Sequence, residues 1–315
     1  MKTRGRLALA TLTIAGLAMS ATPAHAEIRN GRIAFQRLYN GYYEHVHTIR
    51  ADGSGYQSPD YVNFDVESTD ADFSPDGSMI AYISERDGST DLWLMRPNGT
   101  VVRQLTNDAA LESDPTWSPD GKKIAFVGSA SGKDDIFIIR AVGGTPVNLT
   151  DRGTEFNNLD WAPDGVRILF DAFDGDDWEL YSVRARTGIE APPIRNLTND
   201  TSSETDGSWS PDGTWIVFTL LADESGSGAS QVWKLPVADP ATRIALAAEV
   251  DGNDDATPVW SPDGTKIAYS HGTSSHPYAP DVWVMGADGQ NPHQVAPDAS
   301  FELDEVTSWQ PRIVT

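Results

Sequence analysis

One turn sequence is copied five times along this chain. It reads Phe73-Ser74-Pro75-Asp76-Gly77, then Trp117 to Gly121, Trp161-Ala162-Pro163-Asp164-Gly165, Trp209 to Gly213 and Trp260 to Gly264. Successive copies start 44, 44, 48 and 51 residues apart. A period of that length marks one supersecondary unit repeated around or along an axis, and it constrains the fold before composition does. It constrains function far less, because a repeated scaffold hosts unrelated activities.

Within each copy the pattern is that of strands. After Pro-Asp-Gly comes a run such as Lys123-Ile124-Ala125-Phe126 or Lys266-Ile267-Ala268-Tyr269. Such β-branched and aromatic runs have strand length. A second run carries an aromatic at its third position, as in Asp91-Leu92-Trp93 and Asp281-Val282-Trp283, and a weaker third run ends in Leu-Thr, as in Leu105-Thr106. Proline sets φ for the turn, Asp suits the next position, and Gly accepts the positive φ that closes a hairpin. The tryptophan before the turn ends the preceding strand and offers a large apolar body to a neighbouring sheet. Each unit therefore reads as a four-stranded antiparallel meander, and small sheets of this kind stack radially. No stretch after the first residues has helical periodicity.

The two ends are half-repeats. Asn30-Gly31-Arg32-Ile33-Ala34-Phe35 matches the turn and the second strand, while Ser308-Trp309-Gln310-Pro311 matches the tryptophan strand alone. Together they make one more unit. The expected fold is all-β, a six-bladed β-propeller closed by pairing of the C-terminal strand with the N-terminal blade. Closure removes the sheet edges that an open array exposes.

Residues 1–26 read as a secretory signal peptide: Lys2, Arg4 and Arg6 precede an apolar run from Leu7, and Ala24-His25-Ala26 offers small residues for cleavage. The propeller is then one domain over 27–315, exported to a periplasm or beyond the cell, with no membrane span expected. No cysteine is present, which excludes disulfides, thiolate metal sites and Cys nucleophiles. Acids outnumber bases 46 to 23, and loss of the three leader bases takes the charge to −26. Nucleic acid is repelled by such a chain, and cations are favoured.

The motif set Trp-Ser-Pro-Asp-Gly-x-x-Ile-Ala-Phe, Asp-Ile-Trp-Val-Met and Leu-Thr-Asn-Asp resembles the TolB-type (WD-like) β-propeller repeat, over residues 30 to 312. The resemblance implies six blades and a bias towards protein or ligand binding. It is shared with propeller domains of peptidases, but no Gly-x-Ser-x-Gly elbow occurs here, so serine peptidase chemistry is not expected.

Two candidate sites stand out. Five or six residues before each aromatic turn position lies an acid: Glu67, Glu112, Glu155, Glu204, Asp255 and Asp304. Three residues before it lie Asp70, Asp114, Asn158, Asp206, Thr257 and Val306. In the geometry that the resemblance implies, these segments enter the innermost strands and converge at one mouth of the central channel. The expectation is a ring of acids with a partial second ring below it, holding a cation, with Ca²⁺ as the candidate ion and no cofactor required. The same acids also suit a structural role, bonding backbone N–H groups of neighbouring blades. The second candidate is an aromatic and imidazole patch of Tyr39, Tyr42, Tyr43, His271, His276 and Tyr278, suited to peptide or sugar recognition. His45 and His47 fit ordinary strand packing. Asp91, Asp135 and Asp281 are expected to tie blades together.

The favoured reading is a monomeric, non-enzymatic module that recognises a protein or carbohydrate ligand through its acidic face. The alternatives are a metal-assisted carbohydrate lyase or hydrolase using His271 or His276, and a structural envelope protein.

Overall fold

The computed structural model describes residues 27–39, 43–58, 66–108, 110–129, 133–151, 155–186, 193–221, 229–246, 254–273, 276–295 and 304–314. The leader expected over 1–26 lies outside them. The described residues form strands and turns only.

The chain begins with β1 (Glu27–Tyr39) and β2 (Tyr43–Arg50). Blade 2 follows as β3 (Ser68–Phe73), β4 (Ile80–Ser84), β5 (Asp91–Met95) and β6 (Val101–Gln104). Blade 3 is β7 (Glu112–Trp117), β8 (Lys123–Gly128), β9 (Asp135–Arg140) and β10 (Val147–Asn148). Blade 4 is β11 (Phe156–Trp161), β12 (Arg167–Phe173), β13 (Trp178–Arg184) and β14 (Arg195–Asn196). Blade 5 is β15 (Glu204–Trp209), β16 (Trp215–Leu220), β17 (Gln231–Pro236) and β18 (Ile244–Ala245). Blade 6 is β19 (Asp255–Trp260), β20 (Lys266–Thr273), β21 (His276–Gly286) and β22 (His293–Gln294). The last strand is β23 (Asp304–Val314). Blades 2 to 6 are antiparallel meanders in chain order, and blade 1 has the order β2-β1-β23. The two half-repeats therefore combine as expected: Ile33 stands opposite Trp309 and Arg37 opposite Asp304.

The repeated residues build each blade in the same way. In the turn, Asp76 Oδ1 accepts the Ser78 N–H at 2.9 Å and the Ser74 hydroxyl at 2.7 Å, and Ser74 Oγ accepts the Met79 N–H at 3.0 Å. Gly77 takes φ +68, which a side chain would strain. The Leu-Thr motif has a matching role, since the Thr106, Thr150 and Thr198 hydroxyls accept the N–H of Leu92, Ile136 and Leu180. Asp91 and Asp135, expected to tie blades together, bond within their own blades, to Gln104 and to Asn148 and Thr150.

The aromatic ending each first strand does join blades. Phe73 packs with Ala34 and Val46 of blade 1, and Trp117 with Leu92 and Leu94 of blade 2. Trp161 packs with Ala125 and Val127 of blade 3, and Trp209 with Leu169 and Leu180 of blade 4. Trp260 packs with Val217 and Val232 of blade 5, and Trp309 with Ala268 and Val282 of blade 6. Each is one contact in a closed series, so Trp209→Ala is expected to lower stability by about 3–5 kcal/mol in urea denaturation. A loss below about 1 kcal/mol would show that this packing is not what joins blades 4 and 5.

Candidate functional site

The first strands converge on an axial cavity of about 270 Å³. Its lining comes in two tiers. Asp70, Asp114, Asn158, Asp206, Thr257 and Val306 form one, three residues before the aromatic position, and Glu305 and Gln36 join them. Asp72, Thr116, Asp160, Ser208, Val259 and Ser308 form the other, one residue before it. Among the described residues, no Lys, Arg or His lines this cavity.

A β-bulge explains the upper tier. In β7, Ser113 pairs with Val127 and Thr116 with Ala125, so Asp114 and Pro115 together face one residue of β8. The same register shift recurs in β3, β11, β15 and β19. Asp70, Asp114, Asn158, Asp206 and Thr257 all have φ between +48 and +56 there. Asp and Asn tolerate that conformation best among residues with a side chain, which is one reason they recur at this position.

The upper tier is also a hydrogen-bonded girdle. Asp70 N–H donates to Gln36 Oε1 at 3.0 Å, Asp114 N–H to Asp70 Oδ2 at 3.3 Å, and Asn158 N–H to Asp114 Oδ1 at 3.0 Å. Asp206 N–H donates to Asp171 Oδ1 at 3.2 Å, Thr257 N–H to Asp206 Oδ2 at 3.3 Å, and Val306 N–H to Ser270 Oγ at 3.0 Å. All six junctions are thus bridged. Where the bulge residue is Asp, it supplies the acceptor itself. At Asn158 and Thr257, and at the corresponding Val306, which pairs with Phe35, the second strand of the same blade supplies Asp171, Ser270 or Gln36 instead. In the lower tier, Asp72 and Asp160 accept the N–H of Trp117 and Trp209 at 2.8 and 2.6 Å.

The expected outer ring is not at the cavity. Asp304 is held by both arms of the Arg37 guanidinium at 2.5 Å. Asp255 Oδ1 lies 2.5 Å from His271 Nδ1, and Glu204 Oε1 lies 2.5 Å from Arg243 Nη1. Glu112 accepts the Thr106 hydroxyl and, at 2.9 Å, the Leu92 N–H of the preceding blade. Glu67 is half-buried and Glu155 exposed, and neither lines the cavity. The bulge is the reason: its extra residue reverses the alternation of the strand, so acids before it face away from the axis. Of the nine acids expected together, the structure brings Asp70, Asp114 and Asp206 to the channel. Asp72, Asp160, Glu305 and Gln36 join them at the cavity, and Asp171 supports the girdle by accepting from Asn158 and Asp206; none of these five was singled out from the sequence. Asp171 had a readable signal, an acid interrupting the apolar run Ile168-Leu169-Phe170.

Burial dominates the electrostatics. It pushes the Asp72 carboxyl up to about 8, with Asp160 adding to the rise, and Asp160 up to about 7. Burial and then the Asp206 charge hold Asp171 well above the carboxylate range. Asp114, Asp206 and Glu305 are raised for the same first reason. A raised carboxyl stabilises the fold fully at low pH and loses that contribution as pH rises through its folded value. Melting temperature is therefore expected to fall between about pH 5 and pH 8, and Asp72→Asn to flatten that slope. An unchanged slope in the variant would place the effect elsewhere.

Of the aromatic patch, Tyr42 lies outside the described residues, and so do the side chains of Tyr39, Tyr43, His276 and Tyr278. His271 packs against Trp283, ring centroids 4.3 Å apart. It stands opposite Asp255 as Arg37 stands opposite Asp304, so its pairing repeats a structural contact. His45 and His47 are buried, in line with packing. Burial holds the His47 imidazole down at about 3, and its Nδ1 is hydrogen-bonded with the Tyr56 hydroxyl at 2.7 Å.

Comparison with known proteins fits this geometry. The family model of the TolB beta propeller domain matches residues 46–191 and 158–312. The chain belongs to the TolB beta propeller domain family. A curated relative, the Tol-Pal system protein TolB of Anaeromyxobacter dehalogenans (strain 2CP-C), is 33% identical over 127 residues, 40% of this chain. The match spans 26% of that relative's length. Among solved structures, TolB from Acinetobacter baumannii is similar with a TM-score of 0.71 at 19% identity, over 89% of this chain and 66% of that one. Hydrazine synthase of Kuenenia stuttgartiensis is similar at 0.70 and 14% identity, over 91% of this chain and 47% of that one. At such identities these likenesses concern the fold. Among the described residues, no helix is long and apolar enough to cross a membrane.

Proposed function

We propose that this chain is an exported binding module whose axial cavity takes a cationic group of a protein partner, a lysine or arginine side chain or an N-terminal amine. One observation carries the reading. Among the described residues, the cavity is lined by the carboxyl groups of Asp70, Asp72, Asp114, Asp160, Asp206 and Glu305, with no basic side chain beside them. Its volume of about 270 Å³ suits one such group better than a larger ligand. The curated relative, by name a component of the Tol-Pal system, supports a protein partner over a sugar.

Ca²⁺ is the competing small ligand. Asp70, Asp114 and Asp206 stand together at the cavity, and Ca²⁺ takes six to eight oxygen ligands, carboxylates among them. A rise in melting temperature at millimolar Ca²⁺ supports calcium occupancy. No rise removes calcium and leaves the protein reading in place.

The test uses the mature protein as bait in its native envelope extract, beside Asp114→Asn/Asp206→Asn. The amide keeps an acceptor oxygen for the girdle and removes the charge. A partner held by the wild type and lost by the variant is expected. Equal retention by both would overturn the reading.

A further inference from the structure

We propose that blade 1 is a seam that opens ahead of the rest of the ring and is held by a clasp of three amide side chains, Gln36, Gln310 and Asn30. In the other five blades the first two strands are joined by the Pro-Asp-Gly turn. In blade 1 the paired strands β23 and β1 come from opposite ends of the described chain, and no turn joins them. Noncovalent groups must do what the turn does elsewhere.

Gln310 does so at the break. Its Oε1 accepts the Arg32 N–H at 3.2 Å and its Nε2 donates to Gly77 O at 2.8 Å. In an ordinary turn a serine hydroxyl fills the accepting role, as Ser210 Oγ does for the Trp215 N–H at 2.9 Å. Gln36 accepts the Asp70 N–H and donates to Glu305 Oε2 at 2.7 Å. Asn30 accepts the Asp263 N–H at 3.2 Å and donates to Asp263 Oδ2 at 3.0 Å. Each clasp residue uses both halves of its amide, which a carboxylate cannot do because it only accepts. Gly31 makes room for the clasp, since a Cβ there would stand 2.7 Å from Gln310 O. Among the described residues, the outer edge of this blade is covered by a single bridge, Thr48 to Gln57, in place of a fourth strand.

The seam matters because its parts form one wall of the axial cavity: Gln36, Glu305, Val306, Ser308 and Trp309. When it opens, the cavity is exposed from the side, where a polypeptide can enter without threading along the axis.

Hydrogen exchange on the mature protein, followed by mass spectrometry, tests this. In the wild type, β1 and β23 should exchange faster than β16. Gln310→Ala should speed β1 and β23 about tenfold, the effect of about 1.4 kcal/mol, and leave β16 unchanged. Ser210→Ala, the ordinary-turn counterpart, should leave β1 and β23 unchanged. Arg29→Cys/Arg312→Cys joins two opposed positions in a chain with no other cysteine. Its oxidation should slow β23 to the rate of β16, and reduction should reverse this. Exchange that is uniform around the ring, or a cross-link without effect on β23, would overturn the proposal. The cross-linked variant keeps the test decisive should Gln310→Ala fail to fold.

Discussion

Removing residues 304–315 sharply lowers the melting temperature and broadens the unfolding transition. Deletion takes away the first strand of blade 1, and with it the buried Val306 and Trp309. Loss of a single buried tryptophan costs about 3–5 kcal/mol, and a domain holds only about 5–15 kcal/mol in all. The girdle also loses the Val306 link to Ser270, and Phe73 N–H loses its bond to Ser308 Oγ. Two sheet edges become available for pairing with other chains, so aggregation is expected as well. Circular dichroism during heating checks this, and a synthetic peptide of residues 304–315 added in trans should restore the transition. A truncated chain that still melts cooperatively at the wild-type temperature would show that the C-terminal strand is dispensable for closure.

Asp114→Asn/Asp206→Asn moves stability and binding in opposite directions. Both carboxyls are raised by burial, Asp114 further by the charge of Asp206, and each charge is carried at a cost. Neutral amides remove that cost while keeping the acceptors for the Asn158 and Thr257 N–H groups. At about pH 8 the variant should be more stable than the wild type by about 1–3 kcal/mol, and at about pH 5 the gap should close. Affinity for a cationic ligand should fall about 100-fold or more, since each of the two lost charge contacts removes about 1.5–3 kcal/mol. Stability withheld at a binding site is the usual sign that the site serves a ligand. A variant that lost stability at both pH values would assign these acids to the girdle alone.

The fold was legible in the sequence because its determinants are local. Trp209-Ser210-Pro211-Asp212-Gly213 specifies a turn through its own hydrogen bonds, and the tryptophan before it specifies the neighbour. The complementary ends gave the closure. The site was only partly legible. Which acids face the axis depends on a bulge, and spacing from the turn does not report the reversal that a bulge imposes. Asp70, Asp114 and Asp206 were recognised because they recur, whereas Glu112 and Glu204 recur equally and face elsewhere. Asp72 and Asp160 alternate with Thr116 and Ser208, so no repeat flagged them. Gln36 and Glu305 act at the closing junction, which exists only once the ring is formed.

Calorimetric titration of the mature protein with a short lysine-rich peptide, at about pH 8 and low salt, tests the central claim most directly. The expected result is one peptide per chain, an affinity that falls as salt rises and as pH is lowered towards about 5, and loss of that affinity in Asp114→Asn/Asp206→Asn. No heat, or equal affinity in the two proteins, would contradict a cationic ligand at the axial carboxyls.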